Sequence, residues 1–500
     1  LISQEDVIDY VEKPKSLYYQ IERTKTAACV GSVRADGNIL SGKGVIVGVI
    51  DTGIDIFDNA FRNSDGTTRI LNIYDQTTGE KYDKQSIDEY IKLNEDLSGG
   101  TFSYDNAPGV DNIMHGTDVS YIAAGSLGVA YEADIIAVKM GYSINNQFPR
   151  TTSLMDAIDY VIRKAIEYRK PVAVNISYGC NYGAHNGNTL LESFIDDISK
   201  SYRCVICVGS GNEADKAIHF GGIINTGQVQ TAYLSVGEYQ SAMDIQIWKN
   251  YWDTIDVMLI NPRGEQIGII TEGKINRYET YNTEIITLLG EPSPYNIYQE
   301  IYINLIPKTD YILSGIWQIV LMAGNIRAGE YNIWLPSSQA LGYATAFNNP
   351  TADGTITIPA TARNCIAVGA YNAYTNSYAA FSGRGFDNSI RNVNAGVKPD
   401  ITAPGVDISI ARQRGNDITY RNVTGTSYAV PVVTGAAALL MQWGIVMGND
   451  RFMYGEKLKA ALIDGSKPVG LVGITRNDNQ PDPRTGWGAV CLKNTLNKIL

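Results

Sequence analysis

Two kinds of apolar pattern alternate over most of this chain. Val45-Ile46-Val47-Gly48-Val49-Ile50 is an almost unbroken apolar run that ends in Asp51 and the turn Thr52-Gly53. Such a run reads as a strand buried on both faces, as in a parallel sheet. The same reasoning predicts strands over 44–50, 134–139, 172–177, 204–209 and 366–369. Elsewhere apolar positions recur three and four apart, so that Leu154, Ala157, Ile158, Val161, Ile162 and Ala165 share one helical face. Helices are predicted over 115–125, 154–168, 189–199 and 427–444. Strands alternating with helices make the expected class α/β, a parallel helix-covered sheet.

Residues 222–345 break this pattern. Asp244-Ile245-Gln246-Ile247-Trp248, Ile255-Asp256-Val257-Met258-Leu259-Ile260, Glu300-Ile301-Tyr302-Ile303-Asn304-Leu305-Ile306 and Ile316-Trp317-Gln318-Ile319-Val320-Leu321 are short β-type runs, divided by turns such as Asn261-Pro262-Arg263-Gly264. Several such strands without helices predict an inserted β-sandwich or jelly roll. A carbohydrate-binding role is one reading of the insert. A brace on the rest of the fold is favoured, since no aromatic platform can be identified.

Composition narrows the functions available. The 41 basic and 52 acidic side chains leave a net charge of −11, with a pI near 5.0. That balance argues against nucleic-acid or anionic-membrane partners. The longest apolar stretch, residues 430–447, contains Pro431, Gly435, Gln442 and Gly444, and reads as a buried helix rather than a membrane span. The chain opens at Leu1 without a signal-peptide pattern, and an upstream segment is expected to have been removed. The cysteines, Cys29, Cys180, Cys204, Cys207, Cys365 and Cys491, are scattered singly and are expected to be mostly reduced structural thiols. Cys204 and Cys207 have C-x-x-C spacing, but on a strand residues three apart face opposite ways, which argues against a metal site.

The candidate chemistry begins at Gly425-Thr426-Ser427-Tyr428-Ala429-Val430-Pro431, which sets a serine hydroxyl between a small-residue turn and a long apolar helix. A serine at a helix N-terminus is commonly only a cap. Two other segments supply what an activated serine needs. Asp51 lies at the carboxyl end of a predicted strand, where open α/β sheets carry their sites. His115-Gly116-Thr117-Asp118-Val119 opens a helix. Of the three histidines, His185 sits in a Gly/Asn-rich stretch that reads as a surface loop, and His219 follows the loop at Gly209-Ser210-Gly211-Asn212, where it could contact substrate. His115 is therefore the candidate base. The acid orients the imidazole, the imidazole takes the serine proton, and the serine oxygen attacks a carbonyl carbon.

The order Asp51, His115, Ser427 is that of the subtilisin fold, and the chain resembles the subtilisin-like (subtilase) serine proteases over residues 40–220 and 346–500. The resemblance implies a serine endopeptidase with protein or peptide substrates and no catalytic metal or organic cofactor. Structural calcium is compatible with the carboxylate-rich loops, though no ligands are assigned. It makes Asn212 the side-chain donor of an oxyanion hole, with the Ser427 N–H as second donor. It assigns Ser177, Tyr178 and Gly179 to a segment that pairs with substrate backbone. Together with Gly209, Ser210 and Gly211 they line the specificity pocket. Phe381-Ser382-Gly383-Arg384-Gly385 and Lys398-Pro399-Asp400-Ile401-Thr402-Ala403-Pro404-Gly405 match segments that pack near the nucleophile.

The implied organisation is a leader or prodomain remnant over 1–20, a catalytic unit in two parts over 21–221 and 346–500, and the insert over 222–345. The insert, the Val11-Glu12-Lys13-Pro14 leader and the Ala-Ala-Ala-Leu-Leu-Met-Gln-Trp-Gly helix are similar to the clostridial spore germination proteases and their gut-bacterial relatives. That branch implies a spore-associated or secreted bacterial protein that cleaves its own prodomain, with a proenzyme among its targets. The alternative is a catalytically silent pseudoprotease acting as sensor or scaffold. Two positions depart from the family pattern: Asp118 stands where a second histidine is usual, and Tyr428 where the residue is usually small or methionine. With a helix from His115 onward, Asp118 lies on the same face and would raise the imidazole pKa. The alternative is that it turns to solvent or to a backbone N–H.

Overall fold

Strand Ile46–Asp51 is the spine of a nine-stranded sheet, pairing in parallel with Asp134–Lys139 on one side and Val172–Ile176 on the other. The computed structural model describes residues 20–31, 33–35, 38–98, 107–141, 148–268, 275–292, 294–386, 397–415, 417–470 and 480–500. Outward from Val172–Ile176 follow Cys204–Gly209 and Ile366–Asn372, and outward from Asp134–Lys139 follows Ile70–Asp75, all parallel. Only the edge strands Glu80–Asp83 and Ser377–Tyr378 are antiparallel, and Ile401–Pro404 adds in parallel to Ile366–Asn372. The expected α/β sheet is present, and its central strand extends to Asp51 itself.

Period two along each strand divides the apolar residues between two cores. Val47 and Val49 join the core under helices His115–Ala124 and Thr426–Met441, while Ile46 and Ile50 join the one under Thr151–Tyr168 and Leu190–Ser201. Asp51 therefore shares its face with Val47 and Val49, the face that carries His115 and Ser427. Cys207 and Cys204 divide in the same way, one into each core. Helix Thr426–Met441 is apolar all round, as a fully enclosed helix must be. With its continuation to Val446 it is long and apolar enough to cross a membrane, yet 89% of that window is buried inside the protein.

The insert forms two antiparallel sheets around a core of its own, running from strand His219–Ile223 to Ala346–Phe347, slightly wider than 222–345. Met243, Ile245 and Ile247 of one sheet meet Trp317, Ile319 and Leu321 of the other. The insert also corrects two expectations. His185 is buried, not on a surface loop, with its ring stacked 4.1 Å from that of Trp334 at the end of strand Glu330–Trp334. His219 is also buried, its ring stacked 4.9 Å from the same indole, and is not available to a substrate. A strand arriving from far along the chain covers both residues, which no local pattern announces.

The cysteines are mostly thiols, as expected, with one bond that the spacing did not announce. Cys29 and Cys491 form a disulfide across 462 residues, whereas Cys180, Cys204, Cys207 and Cys365 carry thiols. Leu492 N–H donates to Ala28 O at 3.2 Å beside it, so the two ends of the fold are paired locally before the bond is counted. Of the 1–20 leader, only Gln20, the first residue of helix Gln20–Ala27, falls within the described residues.

Candidate active site

Asp51 Oδ1 accepts from Thr52 N–H at 2.8 Å and faces His115 Nδ1 at 2.6 Å. A carboxylate oxygen can only accept, so Nδ1 carries the hydrogen and Nε2 is left as the basic nitrogen. Close packing enforces the approach: a Cβ on Gly116 would stand 2.3 Å from Gly53 O and 2.9 Å from Asp51 Cβ. Burial disfavours the imidazolium, but the Asp51 carboxylate outweighs it, with further help from Asp111 and Asp118, and His115 sits above its ordinary pKa.

Asp111 is a residue that sequence reasoning missed. Its Oδ2 accepts from Thr117 N–H (2.8 Å) and Thr117 Oγ1 (2.7 Å), and its Oδ1 from Met114 N–H (2.7 Å) and Thr52 Oγ1 (2.8 Å). Thr52 Oγ1 in turn accepts from Gly116 N–H at 2.9 Å. These two side chains satisfy orphan donors of the helix's first turn, a service the cap residue Met114 cannot perform. An acid a few residues ahead of a helix start was the available signal.

Ser427 lies in the first turn of Thr426–Met441, where its N–H has no acceptor within the helix. Gly425 has φ 153° and ψ 159°, a region open essentially to glycine alone. A Cβ there would stand 3.6 Å from Asn212 Nδ2 and 3.8 Å from Ser427 N, so the two expected oxyanion donors face one small space that glycine leaves open. Ser177 Oγ donates to Ser427 O at 3.3 Å and accepts from Asn175 Nδ2 at 3.0 Å, tying the helix start to the end of strand Val172–Ile176. No hydrogen bond joins Ser427 Oγ to the His115 ring among the described residues. Catalytic contacts of this type commonly tighten only when substrate binds.

The other expected binding residues divide. Gly179 and Gly211 flank Thr357, whose Oγ1 would lie 2.4 Å and 2.7 Å from a Cβ on each. Thr357, from the segment after the insert, was not anticipated. Gly209 lies against Thr426 and Val430, where a Cβ would stand 3.3 Å from Val430 Cγ2 and 3.4 Å from Thr426 Oγ1, a tight fit. Tyr178 is half-buried between Ser177 and the exposed Gly179. Ser210 is different: its side chain is fully buried, 3.3 Å from Ser382 Oγ, and its backbone bonds to Val368 O and Thr357 N–H. Every polar group of Ser210 is thus engaged inside the fold. Gly405 O accepts from Gly425 N–H at 2.9 Å, which seats the 398–405 segment against the nucleophile turn.

Asp118 neither turns to solvent nor to a backbone N–H. It is fully buried and ion-paired with Arg412 Nε at 3.2 Å and with Arg421 Nη2. Tyr428 is buried too, its ring centroid 5.2 Å from that of His115 at an interplanar angle of 53°. Among the described residues no group of three or more His, Cys, Asp or Glu side chains is set to hold a metal ion.

A model of the subtilase family matches residues 42–297 and 314–488, and the chain belongs to that family. It is similar to the solved CspB protease of Clostridium perfringens, with 34% identity and a TM-score of 0.85 over 95% of this chain and 96% of the other. It is 38% identical to Subtilisin E of Bacillus subtilis over 107 residues, 21% of this chain and 24% of the relative. It is 32% identical to the Subtilase-type proteinase RRT12 of Saccharomyces cerevisiae over 128 residues, 25% of this chain and 23% of the relative. The chain thus matches about a quarter of the length of these curated relatives.

Proposed function

We propose that this subtilase is an active serine endopeptidase with Ser427 as nucleophile, His115 as general base and acid, and Asp51 as the group that orients the imidazole. The 2.6 Å contact between His115 Nδ1 and Asp51 Oδ1 carries this reading, because it leaves Nε2 as the proton acceptor. Ser427 Oγ bonds to the scissile carbonyl carbon as its proton passes to Nε2. Asn212 Nδ2 and Ser427 N–H hold the oxyanion. The tetrahedral adduct collapses, the C–N bond breaks, and His115 returns the proton to the leaving amine. Water then attacks the acyl-enzyme with the same base. Ser177, Tyr178 and Gly179 take the substrate backbone, and with Gly209 and Gly211 they line the specificity pocket.

The finer reading adds an insert of jelly-roll type that braces the catalytic unit, removal of the chain's own prodomain, and activation of a target proenzyme. It rests on the resemblance to the germination branch and on the 34% identity to the CspB protease. A serine-directed fluorophosphonate tests the chemistry: the wild type is expected to label and Ser427→Ala to remain unlabelled and inactive while folding normally. A Ser427→Ala variant with full turnover on a peptide overturns the assignment. Self-processing is tested on the precursor, whose N-terminal segment should persist in Ser427→Ala alone.

A further inference from the structure

The two departures from the family pattern, Asp118 and Tyr428, are joined by one side chain. Arg421 pairs with Asp118, and its guanidinium bears electrostatically on the Tyr428 hydroxyl. Asp118 stands three residues after His115 on the same helix, fully buried. Tyr428 follows Ser427, and its ring lies against the imidazole. The bridge thus runs from the helix of the candidate base to the helix of the candidate nucleophile.

Arg421 is delivered by the hairpin of strands Ile408–Arg414 and Asp417–Val423, which leads directly into the Gly425-Thr426-Ser427 turn. Ile410 pairs with Arg421 and Arg412 with Thr419, so Arg412, Arg414 and Arg421 share one face. Each of the three meets an acid: Arg414 Nε meets Asp55 Oδ2 at 2.6 Å, while Arg412 and Arg421 share Asp118. Asp55 and Asp118 are themselves buried, so losing their arginines strands a buried carboxylate, which is far costlier than losing a surface pair. A hairpin held this way keeps Arg421, and through it the Tyr428 ring, in one place.

We infer that Asp118, Arg421 and Tyr428 form a positioning relay, in which Asp118 acts through Arg421 on Tyr428 to hold the His115 ring against the nucleophile's helix. The relay rests on the endopeptidase reading and touches no substrate. Burial pushes the Asp118 carboxyl up to about 6, against the pull of Arg412, Arg421 and His115. Around His115 the charged groups are Asp51, Asp111 and Asp118, and Tyr428 supplies the aromatic wall.

The test uses the purified chain with Asp118→Asn, Tyr428→Phe and the double variant, assayed for kcat, KM, pH dependence and fluorophosphonate labelling. Misplacing a reacting group by an ångström costs up to about 100-fold, so each single variant is expected to lower kcat by about 10-fold to 100-fold with KM little changed. Tyr428→Phe keeps the ring but releases Arg421, so the double variant is expected to be no slower than the slower single one. Asp118→Asn should also move the acid limb of the profile to lower pH, since one carboxylate beside His115 is gone. If Asp118→Asn does not fold, Arg421→Gln, at a side chain 40% exposed, is expected to give the same loss of kcat. A lowered melting temperature with unchanged kcat and pH profile, or losses that multiply in the double variant, overturns the relay. A wild type that labels while Asp118→Asn labels equally fast overturns the relay alone. A wild type as inert as Ser427→Ala overturns the endopeptidase reading and the relay with it.

Discussion

Asn212 Oδ1 accepts from both Thr426 N–H (2.9 Å) and Thr426 Oγ1 (3.0 Å), one residue before the candidate nucleophile. A backbone N–H can only donate, so the amide oxygen must face it and the Nδ2 donor must face away. The residue before Ser427 therefore sets which end of Asn212 is offered to a substrate. Asn212→Ala is expected to lower kcat by about 10²–10³-fold with little change in KM, a magnitude carried over from a subtilisin rather than calculated from this geometry. A rate constant equal to that of the wild type would remove Asn212 from the oxyanion hole.

The pH dependence follows from the sign of the shift at His115. The base works only when neutral. Its pKa lies above the ordinary imidazole value because nearby carboxylates, Asp51 foremost, outweigh burial. The acid limb of kcat/KM, which reports the free enzyme, should then fall above the pH at which an exposed histidine titrates, about 6.5. A limb at or below that pH contradicts the charge environment described for the site.

The Cys29–Cys491 bond predicts a count and a loss. Unfolded without reductant, the chain should expose four thiols of its six cysteines. Cys29→Ser should lower stability by about 2–4 kcal/mol, the usual worth of such a crosslink, measured as a lower denaturation midpoint. Six reactive thiols in the unreduced protein would show that the bond does not form.

What the sequence reveals depends on how far apart the interacting residues lie. Asp51 could be placed because a strand buried on both faces carries its own apolar signature, and the opposed facing of Cys204 and Cys207 follows from period two alone. The helix predicted from 154 begins at Thr151, since a polar first turn adds nothing to an apolar period. Thr357 and Arg421 escaped because their roles exist only once distant segments meet, whereas Asp111 caps the helix a few residues after it and had a local signal. Arg421 reads as one more charge on a hairpin until Asp118, some three hundred positions earlier, is seen buried beneath it. The burial of His185 and His219 has the same origin.

Trp334 tests whether the insert braces the catalytic unit. Its indole is enclosed and stacks with both His185 of the 181–187 loop and His219 of the insert's first strand, with Phe386 edge-on at 6.4 Å. Its Nε1–H donates to Gly354 O at 2.9 Å, in the segment that returns from the insert. Removing a buried tryptophan costs about 3–5 kcal/mol, because the cavity refills only in part. Trp334→Ala should therefore lower the unfolding midpoint of the insert. If the insert is a brace, heat inactivation of the peptidase should shift down with it, since the indole clamps a loop of the catalytic unit. An insert that melts earlier while peptidase activity survives to the wild-type temperature would show that the two parts stand independently.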